Sequence, residues 1–201
     1  MNNSMATRYW NRVASDGTWL TDTRTKRPIG PPPGEDLAAM RAGLGRQFGE
    51  VPKLWPHYTC EINDELARRG ETSFEQRAEH AALALYGLHQ QSKSVSMHRP
   101  DVRLGRALSQ LRDSDRFSPK AIDDRVEAAA TTTTFDALLI RLRGLVDLLR
   151  TINQPLDYDH LMRLVHDWHY DDGRRAARRQ WAMDYQVWKH KSAGDEPSAE
   201  S

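Results

Sequence analysis

The residues best suited to chemistry lie between His160 and Asp172. His160, His166, Asp167, His169, Asp171 and Asp172 together form the chain's densest group of metal-ligand side chains. His166 and His169 are three apart, so on a helix they share a face and could share a metal. The His166-Asp167 dipeptide also occurs in helical metal-dependent phosphohydrolases. That chemistry would need an upstream histidine, available as His80, His89 or His98, and a later aspartate such as Asp184. The residues flanking His166-Asp167 do not follow the usual pattern of those enzymes. Asp171 and Asp172 stand where they could cap a following helix, and histidines beside a tryptophan-bearing core face account for the same residues structurally.

Other catalytic arrangements are missing from the sequence. Cys60 is the only cysteine, which leaves no internal disulfide and no thiolate zinc site, and a small core residue is its natural role. No strand, glycine-rich loop and helix follow one another to hold a nucleotide phosphate, and no serine sits in a nucleophile elbow. Glu61, Asp64 and Glu65 suit a solvated helix face rather than a catalytic carboxylate pair. We therefore expect no enzyme activity, no cofactor and no bound metal.

The basic residues are more informative. Arg103, Arg106 and Gln110 form a polar stripe opposite a leucine stripe. Arg174, Arg175, Arg178 and Arg179 crowd the first two turns of a helix that Asp171 or Asp172 would cap. A helix N-terminus is the positive end of the helix dipole, so cations there are unfavourable unless an anion joins them. Asp171 and Asp172 could absorb part of that charge. Arg143 has Asp147 four residues on, an i,i+4 pair that would account for both, whereas Arg141 has no such partner. The net charge is only +1, with 29 Lys+Arg against 28 Asp+Glu. That excludes a strongly basic, free-standing nucleic-acid binder, and it fits a subunit that needs neighbours to bind tightly.

The elements that must position these residues read as helices throughout. Leu37, Met40, Leu44 and Phe48 recur at helical spacing after the Pro31–Gly34 breaker. Thr72 and Glu75 fit a capping box before a stripe of Phe74, Ala78, Ala81, Ala82, Leu85 and Leu88. Leu104, Ala107, Leu108 and Leu111 give another stripe. Ser118-Pro119 opens a helix, and Thr131 to Thr134 form a joint. Phe135, Leu138, Leu139, Leu142, Leu145, Val146 and Leu149 make the longest apolar face. Asp157 caps a helix with Leu156 and Leu161 at staple spacing, and a last helix carries Ala177, Trp181, Tyr185 and Trp188. These patterns predict an all-α, compact bundle of about eight helices. Residues 1–34 form an N-terminal segment with a long loop. Residues 35–191 form a helical domain with lobes of roughly 35–100 and 101–191, and 192–201 a disordered acidic tail. No run reaches the roughly 18 apolar residues of a membrane span, and no signal core opens the chain, so a cytoplasmic location is expected.

One further pattern lies in the order of the motifs. Ala82-Leu83-Ala84-Leu85-Tyr86-Gly87-Leu88-His89-Gln90-Gln91-Ser92 leads into Met97-His98 and then Leu104-Gly105-Arg106-Ala107-Leu108. Leu142-Arg143-Gly144-Leu145-Val146-Asp147-Leu148-Leu149-Arg150, Leu156-Asp157-Tyr158, Trp168, the Arg-rich helix and Trp181 follow. From about residue 40 to 190 this resembles the small subunit of the type I-E CRISPR Cascade complex, the CasB family. The resemblance implies a two-lobed, non-catalytic helical subunit, present in two copies beside the other Cascade subunits. Such a subunit holds the guide RNA–target DNA hybrid and the displaced DNA strand on basic surfaces, stabilising the R-loop in antiviral defence. Carried over by position, its contacts would be Arg41, Arg106, Arg125, Arg143, Arg174 and Arg175; helix geometry adds Arg103, Arg178 and Arg179. The chain departs from the pattern at Thr131 to Thr134, where basic residues are expected, and the Thr18–Gly34 loop has no clear counterpart. The competing expectation is a helical protein–protein adaptor anchored by Trp10, Trp19 and Trp55.

Overall fold

A computed structural model describes the backbone of residues 8–192 and the side chains of 8–185. Eight α-helices follow one another: α1 (Gly34–Ala42), α2 (Asp64–Arg68), α3 (Phe74–Gln90), α4 (Leu104–Arg112), α5 (Pro119–Ala130), α6 (Phe135–Thr151), α7 (Tyr158–Asp167) and α8 (Asp171–Ser192). A 3-10 segment, Pro52–His57, separates α1 from α2. The fold is all-α. Extended pairing among the described residues is limited to the isolated bridges Val13–Trp19, Thr21–Pro28 and His98–Leu156.

Helix α3 is the axis. It packs against α1, α6 and α7 and is buried on nearly every side, with Ala78, Ala81, Ala82, Ala84 and Gly87 set among larger buried residues such as Leu83, Leu85 and Tyr86. At Gly87 an added Cβ would lie 2.4 Å from the Met40 Cβ; α1 crosses α3 where that glycine leaves room. The N-cap of α3 is Ser73, with the Gln76 amide oxygen reaching back to the Ser73 N–H at 2.8 Å. The capping box therefore sits one residue later than Thr72–Glu75. Phe74 is thereby the first helical residue and 36% exposed, rather than part of the core stripe.

Helix α1 is shorter than its apolar spacing predicts. It ends at Ala42 with Gly43 as C-cap, where a side chain would run into Leu54 and His80. Leu44 still packs on the core and Phe48 lies against Tyr58 at 4.2 Å, but both do so from a glycine-bearing turn. Several other local signals hold. Thr134, the last residue of the threonine joint, caps α6 by accepting from the Ala137 N–H. Leu138, Leu142, Leu145, Val146 and Leu149 are all buried. Asp157 caps α7 at 2.9 Å from the His160 N–H, with Leu156 and Leu161 fully buried beside it. Ser118 precedes Pro119 at the start of α5, though its hydroxyl makes no capping bond. Asp171 and Asp172 lie within the first turn of α8, not before it.

The apolar core is continuous from Tyr9 to Tyr185. The N-terminal segment is tied into it: Trp10 is fully buried against Tyr86 and Tyr158. The Asp159 carboxylate accepts from Arg8, the Trp10 indole and Asn11. Trp10 is thus a core residue and no anchor for a partner; of the three proposed anchors, only Trp55 is well exposed, at 59%. Trp181 and Tyr185 bury the last helix on α4, where Gly105 lets the two backbones approach: an added Cβ there would stand 2.6 Å from the Trp181 carbonyl oxygen. Ser192, the first residue of the tail expected at 192–201, closes α8 instead; the Trp188 side chain and residues 193–201 lie outside the described residues. No helix among the described residues is long and apolar enough to cross a membrane.

Candidate nucleic-acid interface

The arginines at the start of α8 have partners within the chain. Arg174 pairs with Asp171 and also donates to the Trp168 carbonyl at 3.0 Å. Arg175 pairs with Asp172, both largely exposed. Arg178 donates to the Thr132 carbonyl at 2.6 Å and lies 5.3 Å from the Trp168 ring centroid, tying α8 to the α5–α6 joint. Arg179 is exposed and has no bonded partner among the described residues. The clash between four cations and the helix dipole is thus relieved mainly from inside, by acids three residues upstream.

Helix α4 begins differently. Arg103 occupies its N-cap position, no side chain caps the first turn and no acid lies within it. The nearest carboxylate to Arg103 is that of Asp184 on α8, at 3.9 Å, too far for a hydrogen bond. One turn on, Arg106 and Gln110 are both exposed and line a polar groove of about 410 Å³ with Arg99 and Asp101. Arg99 was missed at the level of sequence, because it precedes the helix and its spacing to Arg103 follows a turn at Pro100 and Asp101. Arg125 is exposed on α5, and α4 packs against both α5 and α8.

Arg143 and Arg41 lie elsewhere. Asp147 pairs with Arg150 at 3.1 Å, not with Arg143, so the expected i,i+4 pair is replaced by an i,i+3 one. Arg143 instead lines a second groove, of about 550 Å³, with Arg46 and Arg77. No residue lines both grooves. Arg41 is half-buried near the end of α1.

Most of the histidines are engaged in separate contacts. The His169 ring is stacked between Phe74 (4.0 Å) and Phe135 (4.3 Å), and burial holds its pKa down at about 4. His166 bridges Glu75 and Asp167 at the surface. His80 bonds the Tyr58 hydroxyl and the Gly43 carbonyl, and buried His89 bonds the Tyr158 hydroxyl at 3.0 Å. Burial also lowers the pKa of His80, His98 and His160. Among the described residues no three His, Cys, Asp or Glu side chains gather as metal ligands. Cys60 is half-buried next to Glu79, and burial pushes its pKa up, which keeps the thiol protonated and unreactive.

The architecture defines an all-helical protein with exposed arginines set along helices and grooves. Residues 36–185 match the family of CRISPR-associated protein Cse2, and the chain belongs to that family. Its fold is similar to the crystal structure of CasB from Thermobifida fusca, with a TM-score of 0.59 and 26% identity over 76% of this chain and 84% of that one. It is also similar in fold to a chain of a CRISPR RNA-guided surveillance complex (TM-score 0.58, 20% identity, 82% and 89% covered). A third similar fold is M. ruber CasB (TM-score 0.54, 23% identity, 81% and 91% covered). No curated protein matches the chain.

Proposed function

We propose that the chain is a non-catalytic subunit of a type I-E Cascade surveillance complex, acting in the cytoplasm. In this role it holds nucleic-acid backbone along the layer formed by α4, α5 and α8. The observation that carries this is the start of α4: an uncapped helix N-terminus with Arg103 at the cap position and Arg99, Arg106 and Gln110 around one polar groove. Free backbone N–H groups and guanidinium groups together suit a phosphate. Exposed Arg125 and Arg179 extend the same layer of helices. Arg175 can exchange its solvated partner Asp172 for a phosphate at little cost, since exposed pairs contribute little. Arg174 and Arg178 position α8 rather than grip a ligand, and Arg41 and Arg143 enter only through the family resemblance. Contacts of this kind read no bases. Sequence selection falls to pairing between guide RNA and target DNA, and the subunit stabilises the R-loop by holding backbone of the hybrid and the displaced strand. The other Cascade subunits and a second copy of the chain supply the remaining affinity, consistent with a net charge of +1.

The test is a folded Arg103→Ala/Arg106→Ala/Arg125→Ala/Arg179→Ala variant assembled into the complex. Retention of the displaced strand is measured against salt concentration. Each lost phosphate contact reduces the salt slope by about 0.7 on single strands, equally for unrelated sequences. Unchanged affinity and slope in the folded variant overturn the assignment.

A further inference from the structure

The groove of about 550 Å³ between α3, α6 and the turn after α1 is built unlike the one at α4. Its floor is aliphatic: Leu44, Ala81, Ala84, Leu85 and Leu139 line it, and Ile140, 70% exposed, stands at its edge. Arg46, Arg77 and Arg143 surround that floor. Neither Arg46 nor Arg143 has a bonded partner for its guanidinium among the described residues. Arg77 is 3.8 Å from Asp136, a carboxylate 84% exposed and thus free to turn to water. The groove lining therefore presents three arginines against one exposed acid. His80, which also lines it, is held neutral by burial.

Three arginines around an apolar floor could receive either a nucleotide or an acidic peptide, and the aromatic rings decide between them. A base in such a groove is ordinarily held by stacking on a ring face. Phe135 has no face to offer: His169 is stacked 4.3 Å from its centroid and the Arg77 guanidinium lies over the ring at 4.4 Å. Two groups so close to one centroid must take opposite faces. Phe48 packs one face against Tyr58 at 4.2 Å and is not among the exposed large apolar side chains, and the His80 ring is buried. The most exposed apolar side chain at the groove is aliphatic, Ile140, which suits contact with a leucine or isoleucine side chain.

We propose that this groove docks a short acidic segment of a protein partner. The segment inserts one aliphatic side chain between α3 and α6, and its carboxylates meet Arg46, Arg77 and Arg143. The volume suits one anchor residue and its neighbours rather than an extended interface, the arrangement of a buried hot spot with a charged rim. The proposal is independent of the nucleic-acid path at α4.

The test uses the full chain, labelled with nitrogen-15 and carbon-13 for NMR. The probe is a capped hexapeptide with two leucines between pairs of acidic residues. Saturable shifts of the Gly45, Thr72 and Ile140 signals are expected. Binding should weaken by about tenfold or more when the leucines are replaced by alanine, or in the Arg46→Glu/Arg143→Glu variant, whose exposed substitutions should leave the melting temperature unchanged. The Arg46→Glu single variant in the assembled complex should keep the wild-type salt slope for DNA retention. The proposal is overturned if millimolar peptide shifts none of these signals, or if the alanine peptide binds as well. It also fails if a thymidine trinucleotide shifts the same signals more strongly than the peptide, or if the DNA salt slope falls in the Arg46→Glu single variant, since either result gives the groove to nucleic acid.

Discussion

His89 makes folding stability depend on pH in a way that can be isolated. The imidazole is completely buried on α3, with Nδ1 3.0 Å from the Tyr158 hydroxyl, and burial holds its pKa at about 3. In the unfolded chain a histidine titrates near 6.5. The folded value is the lower one, so the neutral form stabilises the fold fully above pH 6.5. That stability is lost as pH falls from 6.5 towards about 3, because only the unfolded state takes up the proton. At pH 5 the loss from this one group is about 2 kcal/mol, and it grows by about 1.4 kcal/mol for each further pH unit. His80, His98, His160 and His169 are shifted in the same direction and add to the effect. A comparison of wild type with His89→Gln removes those shared contributions. Urea denaturation of both proteins at pH 7.5 and pH 5 is the assay. The variant starts less stable, by about 1–3 kcal/mol, since the packing and the bond to Tyr158 are disturbed. Between the two pH values it should then lose about 2 kcal/mol less than wild type. Equal losses in the two proteins would refute the reasoning and show that His89 can be charged in the folded state.

Two further outcomes follow from packing. Leu142→Ala and Leu145→Ala each empty a buried position on α6 and should cost about 2–5 kcal/mol in urea denaturation. A loss below about 0.5 kcal/mol would remove that face from the core. Gly87→Ala and Gly144→Ala make the same change in the middle of two helices with opposite results. At Gly87 the new methyl meets α1 at 2.4 Å and should destabilise by about 1–3 kcal/mol despite the better helix propensity of alanine. At Gly144 nothing lies within 4 Å, and the melting temperature should rise, reflecting a gain of up to about 1 kcal/mol.

Helix periodicity made most of the fold legible, and it failed where a decision belonged to tertiary contact. The face of α6 and the Asp157 cap need only local spacing, and both stand as read. The end of α1 does not: Leu44 and Phe48 keep helical spacing and remain packed, yet the helix stops at Ala42. The backbone turns away at Gly45, whose φ of 76° no continuing helix has, while Gly43 is left without a side chain where Leu54 and His80 crowd it. Ion pairing shows the same limit. Asp147 has Arg143 four residues before it and Arg150 three residues after it, and spacing permits both. The pair that forms has the acid on the N-terminal side, the order the helix dipole favours. That choice frees Arg143 for the groove, which spacing alone does not reveal because Arg46 and Arg77 come from a turn and from another helix.

The two helix starts that carry arginines differ in how their charge is balanced. At α8 the cluster looks like an invitation to an anion, but Asp171 and Asp172 sit in the same turn and face Arg174 and Arg175. The helix dipole favours those two acids and the acids neutralise the arginines, so the local charge is balanced without a ligand. At α4 the cluster is smaller, yet its first turn holds no acid, its cap position holds a cation, and the carboxylate nearest to that cation stays beyond hydrogen-bond distance. The dipole and the arginines there have the same sign and nothing within the turn opposes them. An external anion would therefore gain more at the start of α4 than at the start of α8, although α8 carries more arginines. Arg103→Ala should thus weaken phosphate-backbone binding more than Arg174→Ala does, while Arg174→Ala should cost more folding stability because it also breaks the bond to the Trp168 carbonyl. Filter binding against salt, together with thermal melts of both variants, measures the two effects separately. If Arg174→Ala weakens binding more than Arg103→Ala without lowering the melting temperature, the anion site belongs to α8 and the argument from internal neutralisation fails.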